Sequence, residues 1–405
     1  MEKKNNLGLP FRRLAVSNLL AQSAEQVGLA TAPILAVYLF AATPSQTALL
    51  QMVQAAPFLL AAIPAGILTD RLPRRSMLVA SELLRASCFA IILMLLLGGF
   101  LTLPTLAILS FIGGAGAVAY SVTLPGTTPL LVERQALPMA NSRLELARSI
   151  AFTAGPSVAG LVYAAIGGSP AYAIALVLSL SATGLVVLIP FHRPVLMHRH
   201  LRRELREGFR FTFTNIHLRP VLFTAVMFNL SWFILQAAFV PYAATHLHMN
   251  AANVGTSMAV GGFGMLCGAL LTPRLARALT FGKLVIIGPV GGFVGAALMA
   301  GSVLIAAKSL VWASFFFFGA GPVTWSAATA TLRQAVTPLT LIGRVSAVIT
   351  TFTFGARPLG ALIAAMISTK WGASACIIAA LVGFGIQLTI ILCADIRRLE
   401  RVPFA

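Results

Sequence analysis

The sequence predicts an all-α, polytopic membrane protein of twelve transmembrane helices, arranged as two parallel repeats of six. Three observations lead there. The 405 residues are 58% hydrophobic and only 10% charged, with a mean hydropathy of +0.91, far outside the range of soluble domains. Apolar runs of roughly 20 residues, the length needed to cross about 30 Å of hydrocarbon, alternate with short charged or Gly/Pro-rich segments. Finally, motifs at the end of the fourth run recur at the end of the tenth.

Span 1 is placed at 14–40, after "MEKKNNLGLPFRRL". That start has the basic character of a secretory leader, but the apolar run is too long and lacks a small-residue cleavage site, so a retained helix is expected. Span 2, at 46–69, ends in the charged stretch "GILTDRLPRRSML". Span 3, at 76–98, carries Glu82 and Arg85 at i,i+3 spacing, read as a local structural pair. Span 4 is placed at 103–126, span 5 at 146–166 and span 6 at 170–190; Arg148 opens span 5, where an interfacial anchor is expected. Residues 191–218 form the longest connection, with Arg203 and Glu207 at helical i,i+4 spacing. It reads as a solvated tether, with contact to anionic headgroups as the functional alternative.

The second half places spans at 219–243, 253–273, 283–306, 310–331, 345–367 and 373–394. "GAGAVAYS" at 114–121 returns as "GAGPVTWS" at 319–326, and "RQALP" at 134–138 returns as "RQAVTP" at 333–338. Six spans separate the copies, so both have the same orientation. Such a parallel repeat relates the halves by an axis along the membrane normal and places a cavity between them. The expected organisation is an N-terminal bundle (1–190), a linker (191–218) and a C-terminal bundle (219–405).

Orientation follows from the Lys and Arg residues. Of 29, only Lys308 and Lys370 fall in the loops of one side, and Arg85, Arg148 and Arg357 fall within spans; the rest lie on the opposite side. Both termini are therefore expected to be cytoplasmic. The formal charge of +19 comes from short clusters between spans, so no nucleic-acid partner is expected. Four cysteines without C-x-x-C spacing support neither a disulfide framework nor a zinc site. His246 and His248 read as loop residues, and no metal or other cofactor is expected. Gly-rich stretches such as "GGFGMLCG" follow no strand and lead to no Walker lysine, so they read as close helix-packing faces. Without G-x-S-x-G or H-E-x-x-H, an enzyme is not expected.

Twelve spans in two parallel sixes, with G-x-x-x-D-R-x-x-R-R between spans 2 and 3, resemble the major facilitator superfamily. The motif residues are Gly66, Asp70, Arg71, Arg74 and Arg75. "NSRLELARSIAFTAGPSVAG" and "TLRQAVTPLTLIGRVSAV" are more narrowly similar to its drug and siderophore exporter branch, which holds the enterobactin exporter and macrolide or tetracycline efflux proteins. There are departures. Pro73 and Pro57 stand where the family usually has Gly, span 4 lacks an Arg that many drug antiporters carry, and "GPSVAG" (Gly155, Pro156, Gly160) is part of a fuller antiporter pattern.

The resemblance implies a secondary exporter of an amphipathic organic compound, drug or siderophore-like, exchanging it for protons by alternating access. It also implies efflux or multidrug resistance at a bacterial cytoplasmic membrane, by a chain acting as a monomer among membrane lipids. A proton-independent facilitator or a lipid flippase of the same fold is the alternative. Asp70 is the implied cytoplasmic latch, while the neighbouring arginines are equally explained by topology.

Of ten acids, only Glu25 lies near the middle of a span, and an intramembrane carboxylate is the usual proton carrier. Spacings of 3 and 4 put Asn18, Gln22 and Glu25 on one helical face, expected to line the cavity. Aligning span 7 by Asn229 with Asn18 sets Gln236 against Glu25, with Trp232 on the same stripe. Arg357, the deepest cation, either pairs with Glu25 or receives an anionic group of the substrate.

Overall fold

The computed structural model describes residues 7–133, 136–190, 201–338 and 341–401. Among them there is no β-strand. The chain forms α1 (Leu9–Tyr38), α2 (Pro44–Leu60), α3 (Ala62–Arg71), α4 (Arg74–Leu97), α5 (Leu103–Thr127), α6 (Leu137–Ile166) and α7 (Gly168–Val187). These are followed by α8 (Leu201–Thr214), α9 (Leu218–Thr245), α10 (Ala251–Ala278), α11 (Phe281–Leu304), α12 (Lys308–Val336) and α13 (Ile342–Cys393).

Among the described residues, nine helices are long and apolar enough to cross a membrane. Three places account for the difference from the expected twelve. α1 is 30 residues long, but its stripe of Asn18, Gln22, Glu25 and Gln26 lowers its hydropathy. Span 2 is broken at Ala61 into α2 and α3. Pro64 lacks the N–H that would bond to the Leu60 carbonyl, and its ring crowds that carbonyl. Spans 11 and 12 run together as the 52-residue α13, interrupted by Gly372 at φ 75° and ψ −179°.

That glycine has a counterpart. Gly167, between α6 and α7, takes φ 87° and ψ −173°, a region of backbone space open essentially to glycine alone. Gly167 and Gly372 are separated by the same interval as Gly114 and Gly319 of the repeated motif. A second echo is a hydroxyl pair. Thr69 and Thr123 meet at 3.0 Å between α3 and α5, and Thr272 and Thr324 meet at 2.8 Å between α10 and α12. Thr69 and Thr272 also bond back to the carbonyl four residues earlier, which satisfies their hydroxyls inside an apolar layer.

The helices cluster into two compact units, residues 1–41 with 53–198, and 42–52 with 199–405. In the first unit α1 packs on α6 and α7, and α4 on α5 and α7. Small residues set these distances. A Cβ at Gly155 would run into the Cβ of Gln26, and one at Gly116 would lie 2.7 Å from the Ser81 carbonyl oxygen. In the second unit α13 packs along α9, and α10 and α11 both pack on α12. Gly264, Gly268 and Gly319 bring the α10 and α12 backbones together, as small residues do between membrane helices.

The linker departs from the tether expected of it. Residues 191–200 lie outside the described part, but 201–214 are helical and pack on the second unit. Glu207 forms an ion pair with Arg344 at the start of α13, and Gly208 lies against the Arg344 backbone. Phe209 and Phe213 stack at 4.2 Å and both meet the Phe352 ring. An apolar aromatic face on one side of the turn is what converts this stretch from tether to packed helix.

Candidate functional site

Glu25 sits one turn beyond Gln22 on α1, in a helix whose polar stripe is turned inward: Asn18, Gln22, Glu25 and Gln26 are all buried. Asn18 Nδ2 donates to the Leu144 carbonyl of α6 at 3.3 Å. Facing Glu25 from α4 is Arg85, whose Nη1 lies 3.4 Å from Glu25 Oε2. The same guanidinium also binds Glu82 Oε1 through Nη2. Glu82 is wholly enclosed, at 0% exposure, and its Oε2 accepts a hydrogen bond from Ser179 Oγ of α7 at 2.9 Å.

Three ionisable side chains from α1 and α4 therefore share one buried place. With both acids ionised, two buried carboxylates would share the Arg85 guanidinium, an arrangement that a low-dielectric interior disfavours. The two acids are not equivalent. Glu82 is held by Arg85 and Ser179 within its own layer, whereas Glu25 stands farther from the shared cation and keeps some exposed surface, 10% of its side chain. The arrangement can hold a proton on Glu25 while Arg85 and Glu82 remain a neutral pair.

Sequence reasoning treated Glu82 and Arg85 as a local pair, and so missed that Arg85 is the cation against Glu25. The signal was present: an acid and a base one turn apart well inside an apolar span are costly without a function or a third partner. Gly155 of the "GPSVAG" motif has a physical role in the same place, since it lets α6 approach α1 at Gln26, next to Glu25. Pro156 and Gly160 lie one turn apart on α6, turned about 100° or more away from Gly155.

In the second unit, Asn229 and Arg357 come together. Arg357 Nε donates to Asn229 Oδ1 at 3.0 Å, and Asn229 Nδ2 donates to the Ala225 carbonyl. The guanidinium lies over the Phe354 ring at 3.9 Å and near Phe233 at 5.5 Å, so it is oriented by an amide and two aromatic faces. Trp232 meets Phe318 edge-on at 4.9 Å, and Phe318 continues to Phe384 at 5.1 Å. Gln236 lies half-buried one turn beyond Trp232.

At the charged stretch, Leu72 and Pro73 are extended and α4 begins at Arg74, so Pro73 makes the turn for which the family usually uses Gly. Arg75 Nη2 donates to the Val187 carbonyl and Arg13 Nη1 to the Leu188 carbonyl at 2.6 Å. These are last-turn carbonyls of α7 that would otherwise lack donors. Arg74 lays its guanidinium against Gly126 of α5, Arg71 is exposed, and a Cβ at Gly66 would have Val122 at 4.0 Å as its one near neighbour among the described residues. Asp70 lies in the last turn of α3; its side chain falls outside the described part of the structure.

The comparisons with known proteins agree on the family. The family MFS_3, described as transmembrane secretion effector, matches residues 10–403. The chain is 25% identical over 354 residues to the enterobactin exporter EntS of Escherichia coli O1:K1 / APEC, covering 84% of this chain and 81% of that one. The EntS protein of Shigella boydii serotype 18 matches at the same identity and coverage. Among solved structures, a bacterial homologue of the iron transporter ferroportin, in its inward-facing state, superposes with a TM-score of 0.73 at 14% identity, covering 95% of this chain and 98% of that one. A D-xylose-proton symporter superposes with a TM-score of 0.69 at 15% identity, over 92% and 96%. The match over residues 10–403 carries the family and the solved structures the fold: this chain belongs to the transmembrane secretion effector family of major facilitator transporters.

Proposed function

We propose that the protein is a secondary exporter that moves an amphipathic organic compound, drug-like or siderophore-like, outward in exchange for protons by alternating access. The observation that carries this reading is the buried Glu25–Arg85–Glu82 cluster, a titratable carboxylate held beside a cation inside a membrane-spanning bundle. Protonation of Glu25 neutralises the cluster and its loss recharges it, which is the two-state element a proton-coupled carrier requires.

Arg357, aimed by Asn229 and flanked by aromatic rings, supports a substrate with an anionic group and aromatic surface. The similarity to an enterobactin exporter supports export and the siderophore-like class. The repeated motifs and the matching glycine and threonine pairs support twelve spans in two six-helix halves (1–190 and 219–405, joined by 191–218), with Asp70 as the latch of the first half. The asymmetry of Lys and Arg supports cytoplasmic termini, the similarity to Escherichia coli and Shigella boydii exporters supports a bacterial inner membrane, and the chain is taken to work as a monomer.

The test is Glu25→Gln in proteoliposomes. Transport driven by a pH gradient should vanish while the purified variant keeps its melting temperature. Full retention of pH-driven transport would remove Glu25 from the coupling role, and transport by the parent that ignores collapse of the gradient would establish the facilitator reading instead.

A further inference from the structure

The stretch "GALLTPRLARALTFGKL" repeats the charged stretch of the first half but has Pro273 where the first has Asp70. A latch does not explain its basic residues. Between Glu207 and Asp395 the chain contains no Asp or Glu at all. Arg274 and Arg277 close α10 and Lys283 opens α11, and none of the three has an ion pair or hydrogen bond among the described residues. The C-terminal segment docks beside them, with Gly282 N–H donating to the Leu399 carbonyl at 2.8 Å and Phe281 N–H to the Glu400 carbonyl at 3.2 Å. It brings Asp395 and Glu400 together with Arg397 and Arg398, and Asp395 is met by Arg398 at 3.9 Å. The neighbourhood remains strongly basic.

From Lys283 an apolar groove runs along α11, between α10 and α12. Its cavity is about 420 Å³, walled by Leu271, Ile287, Val290, Val294 and Phe317. The floor is glycine, at Gly268, Gly291 and Gly321. Leu271, Val290 and Phe317 are exposed on the flank of the bundle, where a membrane protein meets acyl chains and not water. From Lys283 to Val294 the helix rises roughly 16 Å, close to half of the ~30 Å hydrocarbon core. The groove is thus one leaflet deep, with its cationic end at the interface.

We propose that this groove binds one acyl chain of an anionic phospholipid from the bordering leaflet, with its phosphate held by Lys283, which lines the groove, and reached by Arg274, one turn beyond Leu271 of the α10 wall. Depth, apolar walls and charge complementarity at one end all select that occupant. A zwitterionic lipid would fill the groove equally but would leave the cations with only half their match.

The test uses full-length protein in phosphatidylcholine vesicles containing a small fraction of phosphatidylglycerol with a photoreactive acyl chain, with labelled peptides mapped after irradiation. The expected result is labelling of residues 284–294 and 267–275. The double variant Lys283→Gln, Arg274→Gln should lower it at least fivefold. Val290→Trp, which fills the groove and leaves every charge in place, should lower it as much. Both changes lie on the exposed flank, and the melting temperature of each variant is measured beside the labelling. Three results would overturn the proposal: equal labelling by photoreactive phosphatidylcholine, labelling insensitive to both variants, or displacement of the label by free glycerol phosphate, which would mean a headgroup site without a chain.

Discussion

Arg85 is the residue whose removal reports most sharply on the buried cluster. Arg85→Leu takes the cation from between two acids and leaves the completely enclosed Glu82 without its cation. Breaking a buried pair on one side costs about 3–5 kcal/mol, whereas replacing both partners by apolar groups is often neutral or better. Arg85→Leu is therefore expected to lose about 3–5 kcal/mol, and the double variant Arg85→Leu, Glu82→Leu to recover most of it. Cys88 lies on the same helix and is buried, so in a background with Cys267, Cys376 and Cys393 replaced by Ser, its reaction with a thiol-sensitive dye during heating follows opening of this bundle. A cycle of both single variants and the double gives the coupling energy. A single variant as stable as the parent, or a double variant showing the sum of two losses, would refute the shared-cation arrangement.

Other expectations are simpler. Gly155→Val should destabilise the first unit by about 1–3 kcal/mol, because the new side chain must enter the α1 backbone region at Gln26; dye-detected melting checks it. Gly167→Ala and Gly372→Ala should each cost about 1–3 kcal/mol, since both place a side chain in backbone space that favours glycine alone, and unequal losses would argue against their equivalence. Glu207→Ala should cost less than about 1 kcal/mol, because the pair with Arg344 is partly exposed; a larger loss in a chemical denaturation series would mean that the linker helix depends on the ion pair and not on its aromatic face.

Much of the fold was legible because hydropathy and length act locally. The expected bounds of spans 4, 7 and 9, for example, fall within a few residues of α5, α9 and α11. The break at Ala61 was missed because Pro57 and Pro64 interrupt hydrogen bonding without interrupting hydropathy. The linker helix was missed because its partners, Arg344 and Phe352, are far along the chain, and amphipathic character alone does not say whether a helix packs or floats.

In the site, the polar stripe of α1 was readable from its 3.6 period. Which cation would meet Glu25 was not readable, because the α1–α4 pairing is a tertiary choice. Spacing within α4 explained Arg85 too easily as the neighbour of Glu82. Asn229 was placed on its stripe by alignment with Asn18, but its bond to Arg357 depends on α13 packing along α9, which no local pattern encodes.

The most direct test of the central claim is to record protons and substrate together. Proteoliposomes carrying a trapped pH dye are given a transported compound with no imposed gradient, and the luminal pH is followed while uptake is measured. Proton antiport through Glu25 predicts a proton movement opposite to the substrate in the parent and none in Glu25→Gln, although Glu25→Gln still exchanges labelled for unlabelled substrate. Equal proton movement in both proteins, or none in a parent that transports well, would contradict it.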